Sequence, residues 1–191
     1  MLEAHPALVS IEEYFRLDAQ SDTRLEYWNG HVVAMAGETR NHAVVKDDAV
    51  RSIERQRPDC LAVTASLRVV APGYGRQNYA YPDGILVCGE EQYDHAQPPT
   101  LLNPTLLIEV TSSSTKALDL DDKFEAYFKI ESLREYWIID SDRVYVRRCV
   151  RIEKGVLITP IQDVEAVIES AALNLTVLLT DIYRRVDWDR R

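Results

Sequence analysis

The run Leu106-Leu107-Ile108-Glu109-Val110 (LLIEV) is the stretch of this 191-residue chain from which its fold is inferred. A short, nearly all-apolar run of this kind predicts a strand buried at the centre of a sheet. Its one carboxylate, Glu109, would lie among apolar neighbours, where an unpaired charge is costly to desolvate. Upstream, Tyr81-Pro82-Asp83-Gly84 places a second carboxylate inside a strand-like stretch. If the two strands are neighbours, Asp83 and Glu109 converge.

The helix and strand patterns around these stretches predict a single α/β domain over residues 1–191. Helices are predicted at 11–19, at about 41–56 and from about 119, and strands at 61–70, 79–87, 106–110 and 135–140. The order from 41 to 140 is therefore helix, strand, strand, strand, helix, strand.

Smaller elements flank this core on both sides. Ser10 caps the first helix, and Asn29-Gly30 joins the two strands of a hairpin at 24–36. After the core, strands are predicted at 143–150 and in VLITPI, and a helix capped by Asn174 in NLTVLLTDIY.

Composition and charge favour a globular domain without a broad nucleic-acid surface. Hydrophobic residues make up 46% and charged residues 28%, and the formal net charge is −9. Phosphate binding requires clustered Lys and Arg. Basic residues do cluster in two places, at Arg143, Arg147, Arg148 and Arg151 and at Arg184, Arg185, Arg190 and Arg191. These clusters are either a local basic rim for DNA or a solvated hairpin face and a charged tail.

The cysteines, the N-terminus and the apolar runs indicate in which cellular compartment the protein works. Cys60, Cys88 and Cys149 are odd in number and far apart, which predicts small buried hydrophobes instead of a disulfide framework. The N-terminus lacks the basic region and apolar block of a signal peptide, and the longest apolar runs are too short to span a bilayer. We therefore expect a cytoplasmic protein.

Two converging carboxylates on core strands are typical of a site for a hard divalent cation such as Mg²⁺ or Mn²⁺. The cation could polarise a phosphoryl oxygen and lower the pKa of bound water. The alternative is structural: Asp83 is a turn residue before Gly84, and Glu109 pairs with a buried Arg. Other chemistries lack their motifs, because the chain has no Gly-rich phosphate loop and no G-x-S-x-G elbow. Its four histidines are scattered, which makes a zinc site improbable.

Pro82-Asp83, a spacer of 25 residues and Glu109-Val110-Thr111 resemble the PD-(D/E)XK nuclease superfamily. Within it, the chain is similar to the Uma-type putative restriction endonuclease family in SIEEYFRL, LEYWNGHVVAMAG, Asn41-His42, YPDGILV, LLIEVTSSST, the 119–123 segment and EYWIID. The resemblance implies a restriction-endonuclease-like αβββαβ core with a mixed sheet, an N-terminal helix and hairpin, and extra C-terminal strands and a helix. It also implies a Mg²⁺-dependent endonuclease that cleaves DNA and forms a homodimer.

The resemblance assigns roles to particular residues. Asp83 and Glu109 would bind the metal, and a Lys two residues after the Glu would orient or activate the attacking water. Thr111 occupies that position here and cannot supply a positive charge. Lys123 on the following helix is the best substitute, and Lys116 is a further candidate. The alternative for Lys123 is a surface ion pair with Asp119, one helical turn away.

Glu26 and His42 lie in segments that take part in the resemblance. The resemblance implies that Glu26, in the hairpin strand before Asn29-Gly30, supplies a further metal or water contact; otherwise it is an ordinary hairpin charge. His42 lies on the predicted apolar stripe of its helix, which predicts a satisfied core histidine outside the site.

Two rival functions remain open. The first is a binding or structural protein that keeps the nuclease fold without catalysis, which Thr111 and the negative net charge favour. The second is an enzyme that hydrolyses a small phosphate ester or acts on RNA.

Overall fold

The computed structural model describes residues 8–35, 37–73, 75–96, 98–112 and 117–189, with side chains of the third helix described from residue 122 onward. Lys116, Arg190 and Arg191, together with the side chain of Asp119, therefore lie outside the described residues. In the described part of the chain, no helix is long and apolar enough to cross a bilayer.

The helices and strands alternate along the described chain. The helices are α1 (Ile11–Gln20), α2 (Arg40–Glu54), α3 (Ala117–Tyr127) and α4 (Leu179–Tyr183). The strands are β1 (Leu25–Trp28), β2 (His31–Ala34), β3 (Cys60–Thr64), β4 (Arg68–Pro72), β5 (Gln77–Ala80), β6 (Gly84–Cys88), β7 (Thr100–Leu101), β8 (Leu106–Thr111), β9 (Glu135–Asp140), β10 (Val146–Ile152), β11 (Gly155–Ile161), β12 (Val167–Ser170) and β13 (Leu175–Leu178).

A six-stranded sheet of order β11-β10-β9-β8-β6-β3 forms the centre of the fold. It is mixed, because β8 and β9 run parallel while the other pairs are antiparallel. The elements that build and cover it follow the chain order α2-β3-β6-β8-α3-β9, which is the predicted αβββαβ arrangement. The predicted mixed α/β fold is confirmed.

The two faces of this sheet are covered by different helices. Val45, Ala49 and Ile53 of α2 pack on the face that carries Ile108 and Val110. Tyr127 and neighbouring residues of α3 pack on the opposite face, which carries Leu107 and Ile138. The other four residues of LLIEV are apolar because β8 is covered on both sides. Glu109 shares the α3 face with Leu107.

The predicted strands 61–70 and 79–87 are wrong as continuous strands, because each one crosses between two sheets. The first breaks after β3, at Ala65 with a φ of 27°, and continues as β4 in a second sheet of order β2-β1-β5-β4-β7. The other breaks at residues 81–83, between β5 of that sheet and β6 of the central sheet. Apolar and β-branched residues lie on both sides of each break, because each run contributes strands to both sheets.

The elements at the N-terminal side follow the prediction. Ser10 Oγ accepts a hydrogen bond from Glu13 N at 3.2 Å and begins α1. Asn29 and Gly30 have φ values of 51° and 93°, as the tight turn between β1 and β2 requires. Helix α2 begins at Arg40, one residue earlier than predicted, and is capped by Thr39.

The C-terminal helix predicted at NLTVLLTDIY is wrong over its first half. Leu175–Leu178 forms β13, which pairs antiparallel with β12. Asn174 does not cap a helix, because its φ of 50° places it in the turn between these strands. Buried Leu175 and Val177 alternate with exposed neighbours, which is a strand period, and only Leu179–Tyr183 is helical.

The prediction of three unpaired cysteines is wrong for two of them. Cys60 and Cys88 form a disulfide with a Cα–Cα distance of 4.5 Å. They face each other directly in the antiparallel register of β3 and β6. Their separation of 28 residues hides this pairing, because only the register brings them together. Cys149 is a buried free thiol, as predicted.

Candidate active site

Glu109 and Lys123 meet on the α3 face of the central sheet. Lys123 Nζ lies 3.1 Å from Glu109 Oε1, which also accepts a hydrogen bond from Tyr127 OH at 2.9 Å. Lys123 and Tyr127 are one helical turn apart on α3, so one face of the helix supplies both contacts. The partner of Glu109 is therefore a lysine, and the structural alternative of a buried Arg is wrong.

Glu26 reaches the same ammonium group from the second sheet. Its carboxylate oxygens lie 3.1 and 3.2 Å from Lys123 Nζ. They also accept hydrogen bonds from the Tyr81 backbone N at 3.0 Å and from Trp28 Nε1 at 3.0 Å. Glu26 is only 8% exposed, so it is a buried member of this cluster and not an ordinary hairpin charge.

Asp83 is joined to the strand that carries Glu109. It lies in the break between β5 and β6, is 7% exposed, and its Oδ2 accepts a hydrogen bond from Val110 N at 2.7 Å. The backbone pairing of β6 with β8 ends at Gly84 and Ile108. Beyond that point the Val110 N–H donates to the Asp83 side chain and not to a backbone carbonyl. The two predicted carboxylates are thus brought to neighbouring positions at one end of β8.

Gly84 allows α2 to pack closely against β6 and β8, so its role is more than that of a turn residue after Asp83. A Cβ atom there would lie 2.8 Å from Val50 Cγ2 and 3.1 Å from Ile108 Cβ. Helix α2 therefore sits directly against the first residue of β6, immediately after Asp83. This close contact fixes the distance between the helix and the Asp83 carboxylate.

His42, which the sequence places outside the site as a satisfied core histidine, contacts one of the predicted site residues. Its Nε2 lies 3.1 Å from Asp83 Oδ1 and 3.8 Å from Glu38 Oε2. It occupies the same helix face as the apolar stripe but lies at the helix end nearest the carboxylates, where it is partly exposed. Asn41-His42 appears among the segments that resemble the family, and that was the available signal.

The electrostatics of the cluster follow from its burial. Burial raises the pKa of Glu109 to about 7, with Lys123 opposing the shift and the charge of Asp83 adding to it. Burial lowers the pKa of Lys123, but Glu109 and Glu26 outweigh this and raise it overall. Lys123 is therefore a permanent cation and not a proton acceptor. The pKa of His42 is lowered by burial, but its hydrogen bond to Asp83 gives a net increase.

Thr111 follows Glu109 on the same face of β8, at the position where the superfamily pattern has a lysine. Its carbonyl oxygen accepts hydrogen bonds from Ser141 N at 2.8 Å and Ser141 Oγ at 3.0 Å, which holds the end of the strand. A positive charge still reaches Glu109, but it comes from α3 as Lys123.

Most of the described arginines of the two basic clusters bind other groups of the protein. Arg148 binds the buried carboxylate of Glu135 at 2.7 Å, and Arg151 donates to backbone carbonyls at the end of α3. Arg184 and Arg185 both bind buried Asp48. Arg143 pairs with Asp140, and Arg147 lies over the Phe124 ring. For most of these residues the contacts are structural, which neither of the two sequence interpretations anticipated.

Comparison with known proteins places this arrangement in a family. The sequence profile of Uma2, described as "Putative restriction endonuclease", matches residues 11–180, which include every residue of the cluster. The chain belongs to the Uma2 family. The predicted family is thereby confirmed.

The chain is also similar to two curated proteins and to one solved structure. The chain is 29% identical over 140 residues to the uncharacterized protein slr1290 of Synechocystis sp., covering 72% of each sequence. It is 26% identical over 156 residues to the uncharacterized protein sll1609 of the same organism, covering 80% of this chain and 83% of that one. The crystal structure of a putative nuclease belonging to DUF820 from Anabaena variabilis superposes with a TM-score of 0.73 at 15% identity, covering 94% and 98% of the two chains. This Uma2 protein therefore has a nuclease fold.

Proposed function

We propose that this Uma2 protein is a Mg²⁺- or Mn²⁺-dependent endonuclease that hydrolyses phosphodiester bonds in DNA. The observation that carries the proposal is the contact of Lys123 Nζ with Glu109 Oε1 at 3.1 Å. It supplies the positive charge that Thr111 cannot, beside a carboxylate that neighbours Asp83. The three groups used by PD-(D/E)XK nucleases, two carboxylates and one ammonium, are then present around the end of one strand.

The carboxylates present support a divalent cation that takes only one or two ligands from the protein. Asp83, Glu109 and Glu26 are three buried carboxylates, and Lys123 contacts two of them. This excess of negative charge is what a hard divalent cation neutralises. In the described part of the chain, no group of three or more His, Cys, Asp or Glu side chains is arranged to hold a metal ion. Mg²⁺ commonly binds one or two carboxylates and completes its shell with water and substrate phosphate.

Asp83 and Glu109 would hold the cation, and the protein's other groups prepare the site. When bound, the cation would polarise a phosphoryl oxygen and lower the pKa of a bound water. Lys123 keeps its proton, so it offers a fixed positive charge to the phosphate oxygens on which negative charge develops. Tyr127 and Lys123 both contact Oε1 of Glu109 and fix its carboxylate, while Glu26 holds Lys123 from the other side.

Cleavage of closed circular DNA by the purified protein tests the proposal. We expect nicked and linear products that require Mg²⁺ or Mn²⁺, and a loss of at least about a hundredfold in Asp83→Asn and Glu109→Gln. Glu153→Gln, an isosteric change at an exposed turn, is the control and should cleave as wild type does. Equal cleavage by wild type and Asp83→Asn would assign the activity to a contaminant and contradict the proposal.

A non-catalytic protein that keeps the nuclease fold is the second candidate. The observation in its favour is that Glu109 Oε1, Asp83 and Glu26 are all engaged by protein donors, as a purely structural cluster would be. Calorimetry separates the two candidates. Binding of Mn²⁺ that disappears in Glu109→Ala supports the enzyme. Binding of DNA without metal binding or cleavage supports the non-catalytic protein.

The proposal includes the remaining expectations from the sequence. Residues 1–191 form one domain, supported by contacts between distant parts of the chain such as Asn41 with Asp187 and Gln56 with Thr176. Two copies act together on two DNA strands, and the protein works in the cytoplasm. A single cooperative unfolding transition and a dimer mass in light scattering are the expected results.

A further inference from the structure

The Asp83 carboxylate is held from two sides by groups that the catalytic scheme above does not use. Oδ2 accepts the Val110 backbone N–H at 2.7 Å, and Oδ1 faces His42 Nε2 at 3.1 Å. Each oxygen of an ionised carboxylate has two acceptor sites, so both contacts leave a lone pair for a cation. The two contacts together restrict rotation of the carboxylate about its Cβ–Cγ bond.

His42 is itself fixed by the first turn of α2. Its backbone N–H donates to the capping oxygen Thr39 Oγ1 at 3.2 Å. Val45 and Ala49, on the same side of the helix, are fully buried against the central sheet. The position of the His42 ring relative to β6 and β8 is therefore set by a capped and packed helix end.

A second contact extends this arrangement toward the surface. Lys46 Nζ binds both oxygens of Glu38, at 2.6 and 2.7 Å, and this holds the Glu38 carboxylate 3.8 Å from His42 Nε2. His42 and Lys46 are four residues apart and share one face of α2, and Glu38 lies two residues before the helix begins. They form a polar row that ends at Asp83.

We propose that His42 is a positioning residue that donates a hydrogen bond from Nε2 to Asp83 Oδ1 and so holds the metal-binding carboxylate in one orientation. Its relevance to metal rests on the proposed function, but the hydrogen bond does not. Because an ionised carboxylate only accepts, the His42 proton is on Nε2. Groups that orient a metal ligand in this way typically contribute a factor of about 10–100 in metal affinity.

The first experiment uses the metal-free protein and the Val110 amide as its reporter. In His42→Phe, freedom of the Asp83 carboxylate should weaken the bond to Val110 N, shifting its NMR signal and accelerating its hydrogen exchange on the order of tenfold. His42→Gln carries a side-chain N–H at a similar reach and should restore the wild-type signal. His95→Phe, an exposed position between β6 and β7, is the control and should leave Val110 unchanged.

The second experiment measures Mn²⁺ binding by calorimetry in the same variants. His42→Phe should bind Mn²⁺ about 10–100-fold more weakly, with His42→Gln recovering most of the affinity. An unchanged Val110 amide in His42→Phe would overturn the positioning role, whatever the protein catalyses. A shifted Val110 amide with no Mn²⁺ binding by the wild type would uphold the hydrogen bond to Asp83 and reject the proposed function. Equal Mn²⁺ affinity of wild type and His42→Phe would overturn the link to metal.

Discussion

Lys123 Nζ lies 3.1 Å from Glu109 Oε1 although the two residues are on different elements, a helix and a strand, 14 positions apart. The usual superfamily pattern places the lysine two residues after the glutamate, on the same strand. Here the helix that covers the strand supplies the ammonium group, and Glu26 of the second sheet contacts it from the other side. The ammonium group that contacts Glu109 therefore comes from a neighbouring helix and not from the position two residues after the glutamate.

Removal of the Lys123 charge should destabilise the protein as well as inactivate it. Lys123→Met leaves Glu109 and Glu26 buried without their cation, and such a loss typically costs about 3–5 kcal/mol. Urea unfolding without added metal measures this, and Lys154→Met at an exposed turn is the matched control, expected to be neutral. A Lys123→Met variant as stable as wild type would mean that the ion pairs contribute little.

Two neighbouring buried tyrosines should differ in how replacement by phenylalanine changes the free energy of unfolding. Tyr127 and Tyr136 are both fully buried, with their rings 5.2 Å apart. Tyr127 OH donates to Glu109, so Tyr127→Phe should cost about 1.5–3 kcal/mol. The described residues give Tyr136 OH no hydrogen-bond partner, so Tyr136→Phe should be neutral or stabilising. Unfolding free energies of the two variants check this, and an equal loss in both would contradict it.

The pKa of Glu109 predicts how stability depends on pH. The unfolded chain releases this proton near 4.5, whereas the folded protein holds it until about 7. The contribution of Glu109 is therefore fully present below pH 4.5 and is lost as pH rises through about 7. Thermal unfolding across this window should show a decline in wild type that is smaller in Glu109→Gln. If both proteins show the same slope, the carboxyl group of Glu109 titrates normally.

The disulfide should stabilise the fold measurably. A cross-link that closes a loop of 28 residues restricts the unfolded chain by about 3.5 kcal/mol. A reductant should lower the unfolding free energy of wild type by that order, measured in urea. The double variant Cys60→Ser with Cys88→Ser should start at the lower value and be insensitive to reductant. No effect of reductant on the wild type would show that the pair is not oxidised in solution.

Local patterns in the sequence identified most of the elements and several members of the site. The apolar run LLIEV predicts the central strand β8, and the carboxylates Asp83 and Glu109 were notable because strands of this kind rarely carry charge. The family resemblance points to Lys123, and the structure brings it to Glu109. The sequence therefore determined the αβββαβ order, the family and the principal charged groups, since helix and strand periods are recorded in adjacent residues.

The tertiary structure alone decided which distant residues meet. Strand-forming residues continue on both sides of the breaks at Ala65 and at residues 81–83, so the sequence does not show that the two halves of each run belong to different sheets. The hydrogen bond of His42 to Asp83 depends on how closely α2 packs on Gly84, and the Cys60–Cys88 disulfide on strand register. These contacts are set by packing over many residues, whereas periodicity reports only that a residue is buried and not what it contacts.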